Sequence, residues 1–186
     1  MNEMLEQLGI CDQVKQMEGV VVDSDGKVVK LPSIPKGITV LSPKQEELKK
    51  NYIYVYPKTF DQLRNLIGVP EETANANVST YKTAFEKKEE AGKEQLAYEL
   101  LKAPTQVYQT LFNDTQLEEM KQWILQNAEV IPVLCAEELD IEKNGFYQIK
   151  ETPLAVFDNI TIESDGQMAP DSQSKVVICG KLKHVN

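Results

Sequence analysis

"LDIEKNGF", residues 139–146, and "ITIESDGQM", residues 160–168, share one shape: two apolar residues flanking a variable one, an acid, a variable residue, Asp or Asn, and Gly. "VVVDSDGKVV", residues 20–29, has the same shape. The reading of this pattern as metal site, structural repeat or turn decides the fold. A calcium loop of EF-hand type needs oxygen ligands at positions 1, 3 and 5, glycine at 6 and a bidentate acid at 12. In "DSDGKVVKLPSI" the glycine comes fourth, Lys27 stands where the third acid belongs and Val28 where the glycine belongs, so the calcium reading fails on ligand count. Asp-Gly or Asn-Gly between β-like arms is the chemistry of a tight turn that needs a left-handed residue. The glycines of the last two copies, 145 and 166, lie 21 positions apart. That spacing matches a β-solenoid rung, yet such stacks usually need about three rungs to be stable. With two and a half copies, the pattern predicts an antiparallel sandwich or roll, with a short β-solenoid as the alternative.

Outward from these turns, the chain reads as α+β. "VIPVLC", "GFYQI", "LAVFDNITIE" and "KVVICGKLKHV" are β-like runs separated by turn residues, so residues 129–186 form a β-rich module. The polar stretch 164–174 is expected to be a mobile loop. Residues 1–128 form a mixed portion of helices and short strands. Met4, Leu8 and Cys11 predict one helix over about 2–17, ended by Gly19; Val20–Asp23 and Lys27–Leu31 predict a hairpin. After a short strand at 38–41, Ser42, Pro43 and Gln45 signal a helix start. "NYIYVYP" predicts a strand, and "TFDQLRNLIG" a helix from a Thr59 cap to a Gly68 stop. Residues 79–128 read as helical, with apolar stripes after Pro104 and after a Thr115 cap, and with a mixed-charge exposed surface at 86–95. Trp123, beside the Met120 and Ile124 stripe, is expected at a helix interface or in the core.

The composition narrows function mainly by exclusion. With 20 basic and 29 acidic residues the net charge is −9, and Arg64 is the single arginine, which disfavours nucleic acid as a partner. Cys11, Cys135 and Cys179 are widely spaced and odd in number, pointing to reduced thiols and not to a disulfide framework or zinc knuckle. Neither a signal peptide nor a membrane-length apolar run is legible, so a cytoplasmic or intracellular protein without membrane contact is expected. The only histidine, His184, lies in a C-terminal stretch that usually frays, and the acids Glu137, Glu138 and Asp140 are not distinguishable from a solvated face. No phosphate-binding glycine loop is present. These features predict no catalytic residues, no metal and no cofactor.

One strand stands out for binding. Alternation in "YIYVY" sets Tyr52, Tyr54 and Tyr56 on one face and Ile53 and Val55 on the other. Three rigid amphipathic rings in a row suit contact with another chain or stacking on sugar; a neighbouring helix half covering them is the plainer alternative. The expected function is thus a non-catalytic structural or protein–protein interaction component, either self-associating or bound to a protein partner in an assembly. A carbohydrate-binding module is the alternative.

Overall fold

The 21-residue spacing of Gly145 and Gly166 returns as a strand register. In a computed structural model describing residues 1–69, 93–172 and 176–185, Val133 pairs with Leu154 and Ile141 with Ile162, in parallel and 21 positions apart. The strands involved are β5 (Ile131–Ile141), β7 (Leu154–Glu163) and β9 (Val176–Val185), and β7 pairs with β9 in parallel at a spacing of 22, Leu154 opposite Val176. A second parallel set runs through β3 (Val40–Leu41), β6 (Phe146–Ile149) and β8 (Gln167–Pro170). The protein is α+β with a sheet-rich C-terminal region, and its strands close into neither a barrel nor a solenoid.

The expected antiparallel arrangement of the C-terminal strands is therefore corrected to parallel pairing. The tight turns are present, with Asn144 at φ 58° and Asp165 at φ 61°, but each carries the chain from one sheet to the other and not back along the same sheet. β5 enters the first turn from the four-stranded sheet, order β4-β5-β7-β9, and β6 leaves it in the three-stranded sheet, order β3-β6-β8. The turns then stack on one another: Gln167 N donates to Gly145 O at 2.8 Å, and Lys143 N to the Glu163 carboxylate at 3.0 Å. In the copy at 20–29 the same signature does form a hairpin, β1 (Val21–Val22) antiparallel to β2 (Val28–Lys30).

The pairing of the long strands is interrupted at one level, at Glu137, Asp158 and Gly180. Leu134 and Ala136 enter the core before this level, and Leu139 and Ile141 after it, so Glu137 and Glu138 both lie outside the core cluster. On β7 the equivalent core residues are Ala155, Phe157 and Ile160. Backbones lie close together there: a Cβ on Gly180 would stand 2.8 Å from the Asp158 carbonyl oxygen. The core of this region holds Leu41, Leu48, Tyr52, Ile149 and Phe157, all buried, with Ile34, Ile38 and Met168 packed against it.

The chain divides into two units, residues 1–56 with 130–186, and residues 57–129. The N-terminal 56 residues group with the C-terminal strands, and residues 57–129 form the second unit. β4 (Tyr52–Val55) pairs antiparallel with Ile131–Leu134, and β3 pairs with β6, tying them to the C-terminal strands. The N-terminal helix is also two: Gly9, at φ 65°, separates α1 (Asn2–Gln7) from α2 (Cys11–Lys15). The helix expected from Ser42 is a 3-10 helix over Glu46–Asn51, and Ser42 Oγ accepts only a local bond from Lys44 N at 3.3 Å.

In the other unit, α3 (Phe60–Leu66) starts as expected, with Thr59 Oγ1 accepting from Gln62 N at 3.0 Å. α4 (Lys93–Lys102), α5 (Thr105–Leu111) and α6 (Asp114–Gln126) follow. The cap of α6 is Asn113 and not Thr115, in a capping box with Gln116. The expectations for residues 79–92, including most of the charged run at 86–95, lie outside the described residues. So do residues 173 and 174 of the expected loop, while residues 167–170 within it form β8.

Candidate interaction surface

The tyrosine row of β4 divides in two. Tyr52 is 6% exposed and sits in the core, whereas Tyr54 and Tyr56 are 54% and 72% exposed. Tyr52 Oη lies 2.8 Å from Thr152 Oγ1, which donates its own proton to the Lys150 carbonyl at 2.9 Å, so the phenol is the donor between them. Burial pushes the Tyr52 phenol well above its ordinary value. As a contact residue Tyr52 is thus corrected to a core residue, because β5 and Thr152 enclose the end of β4 where it lies. Ile53 and Val55 are buried on the opposite face, as alternation requires. The exposed remainder is Tyr54 and Tyr56, at the edge of the four-stranded sheet.

A second surface lies on the opposite edge of that sheet. Leu139, Ile160 and Leu182 form one row across β5, β7 and β9, and their exposures are 2%, 2% and 57%. The apolar row stays buried across two strands and comes into the open on the third. Beside it run two polar rows, Glu138–Asn159–Lys181 and Asp140–Thr161–Lys183. From Gly180 to Val185 every residue of β9 is exposed. The β5 side of the stack is covered: β4 occupies Ile131–Leu134, and the Pro32 carbonyl accepts from Glu137 N at 3.1 Å and from Asn51 Nδ2 at 3.1 Å. This edge was not among the surfaces expected from the sequence. Its signal lies in "GKLKHV", where lysines alternate around a leucine, and in the absence of any acid after Asp171.

His184 lies within β9, opposite Ile162, and is exposed. In the first turn the Asp23 carboxylate accepts from the amides of Asp25 and Lys27, each at 2.9 Å, so it serves the turn itself. Among the described residues no three His, Cys, Asp or Glu side chains are grouped to hold a metal ion. Cys135 is buried, and desolvation pushes its thiol up to about 12. Arg64, the single arginine, is buried in the helical unit, where its guanidinium donates to the Ala103 carbonyl and lies 5.4 Å from the Tyr108 ring centroid. It is therefore enclosed where a phosphate backbone does not reach.

Trp123 is half-buried and borders an open depression along α6 that Asp114, Glu118 and Gln126 also line. No helix among the described residues is long and apolar enough to cross a membrane. Comparison of the chain with protein-family models, with curated proteins and with solved structures finds no match.

Proposed function

We propose that this chain is a non-catalytic structural or protein-interaction component that works within an assembly. The observation that carries the reading is the β9 edge, ten residues long, where a core row of leucine and isoleucine ends in the exposed Leu182. An edge strand presents a line of backbone donors and acceptors, and an apolar side chain continuing an internal row adds area to bury. The 21- and 22-residue registers support reading the C-terminal strands as unclosed, solenoid-like rungs, an architecture that gains stability when another layer covers its end. Size-exclusion chromatography with light scattering, on the protein alone and after isolation from its native cells, tests the reading. A mass above that of the monomer, or a stoichiometric protein partner, supports it; a bare monomer from both sources contradicts it.

A carbohydrate-binding role is the second reading, favoured by the exposure of Tyr54 on the other edge strand and of Tyr56 just past its end. Rings of this kind stack on sugar faces. A monomer that retains a glycan on an array, and loses it on Tyr54→Ser, selects this reading over the first.

A further inference from the structure

We infer that the C-terminal half of β9, Gly180–Val185, is a strand-addition site for an extended acidic segment of a partner polypeptide, one that alternates carboxylate and aliphatic side chains. The inference rests on the proposed interaction role and names the partner's chemistry. Three observations carry it.

The first is asymmetry. The β5 side of the stack is covered by β4 and by the Pro32 segment, while among the described residues β9 is the last strand of its sheet and is exposed from Gly180 to Val185. The second is the row pattern. A strand laid in parallel beyond β9 would place one side chain in line with Leu139–Ile160–Leu182 and its two neighbours in line with Lys181 and Lys183. An aliphatic residue suits the first position and carboxylates suit the other two, because cross-strand opposite charges attract and like charges repel. The chain's own β5 already carries this alternation, Glu138-Leu139-Asp140, in the same three rows.

The third observation is charge. The chain has net charge −9, yet residues 172–186 contain Lys175, Lys181, Lys183 and His184 and no acid. Lysine on an edge strand blunts pairing with neutral or basic strands. Two copies joined β9 to β9 would bring Lys181 and Lys183 of both onto one seam, so a second copy is disfavoured there and an acidic strand is the occupant that remains attractive. Main-chain hydrogen bonds then provide affinity and the lysine–carboxylate pairs provide selection, as in other strand-addition sites.

The test uses the full chain and a fluorescein-labelled peptide with the sequence AEELDIE, that of residues 136–142, read by fluorescence anisotropy. Saturable binding is expected, weakening severalfold between about 50 mM and about 0.5 M salt. The double variant Lys181→Glu, Lys183→Glu should bind at least about tenfold more weakly and should gain affinity for the same peptide with lysine in place of each acid. Both lysines are exposed, and the melting temperature of the variant checks that the fold is kept. No saturation by about 1 mM peptide, equal binding of the acidic and basic peptides, or indifference to the charge reversal overturns the inference. Self-association of the unmodified chain that the double variant abolishes also overturns it, by making a second copy the occupant. An assembly seen by light scattering in a chain that ignores the peptide leaves the interaction role standing and removes β9 as its acidic-strand site.

Discussion

Gly166 lies one rung above Ile141, so close that a Cβ on the glycine would stand 2.8 Å from Ile141 Cγ2 and 3.0 Å from the Glu163 carbonyl oxygen. Neither Gly145 nor Gly166 adopts positive φ; the left-handed residues of these turns are Asn144 and Asp165. The glycine is required here by the rung beneath it. Gly26, in the hairpin turn of the same sequence shape, has positive φ, and a Cβ there would meet nothing within 4 Å. Gly166→Ala must displace core and backbone atoms and is expected to cost about 2–3 kcal/mol, whereas Gly26→Ala carries backbone strain alone, about 1 kcal/mol. Urea unfolding of the two variants beside the parent protein measures the difference, and equal losses would remove the stacking account.

Tyr52 and Tyr54 belong to one strand face in sequence and to two environments in the fold. Tyr52→Phe leaves Thr152 Oγ1 buried without its phenol donor and is expected to lower stability by about 1–2 kcal/mol. Tyr54→Ser removes an exposed ring and should move the melting temperature by less than about 2 °C. A thermal scan of both separates them; a larger loss at Tyr54 would make that ring structural and withdraw it from the contact surface.

The parallel pairing was present in the sequence in a form that turn chemistry obscured. "IPVLCA" and "PLAVF" are unbroken apolar runs, as expected of parallel strands buried on both faces, while clean alternation begins only at Glu138-Leu139-Asp140-Ile141. An Asn-Gly or Asp-Gly pair fixes the local backbone but not which sheet receives the next strand. That choice depends on the 21-residue register, a non-local quantity that pairs Glu138 with Asn159 and Leu139 with Ile160. The helix starts at Thr59 and after Pro104 were legible because their signals are local. The cap of α6 lies two positions before the one expected, since Asn113 and Thr115 are both good caps with Gln116 and Glu118 respectively three residues on, and the chain forms the Asn113–Gln116 box. The faces of β4 follow from alternation, but burial of Tyr52 depends on Thr152, a hundred residues away.

Arg64 holds the helical unit through contacts that a lysine does not reproduce. Its guanidinium lies 5.8 Å from the Phe60 ring centroid and 5.4 Å from that of Tyr108, and those rings meet edge to face with centroids 6.0 Å apart. Arg64→Ala opens a cavity beside the rings and leaves the Ala103 carbonyl without this donor, an expected loss of about 2–4 kcal/mol. Arg64→Lys should recover less than half of it, because an ammonium lacks the planar face and the fork of donors. Chemical denaturation of the two variants decides: full recovery with lysine would reduce the role of Arg64 to its charge.

Alkaline conditions should destabilise the sheet-rich unit through Cys135 and Tyr52. The folded Cys135 thiol is pushed by burial from 9.0 to about 12, and the Tyr52 phenol is raised above its ordinary 10.0 by the same cause. Both groups are neutral when protonated. Between the unfolded and folded values the unfolded chain has lost the proton that the folded chain keeps, so the folded state binds more protons and stability falls as pH rises. The contribution of Cys135 is fully present below about pH 9 and is lost as pH rises through its folded value near 12; that of Tyr52 begins to fall near pH 10. Each group adds a slope of about 1.4 kcal/mol per pH unit inside its window. Urea unfolding from about pH 8 to about pH 11 reads the slope directly. Cys135→Ala should flatten the curve from about pH 9 and Tyr52→Phe from about pH 10, each relative to the parent, while the background from exposed lysines and tyrosines is common to all three. Parallel curves would mean that the two groups reach solvent before the fold is lost, and that their burial does not set the alkaline limit.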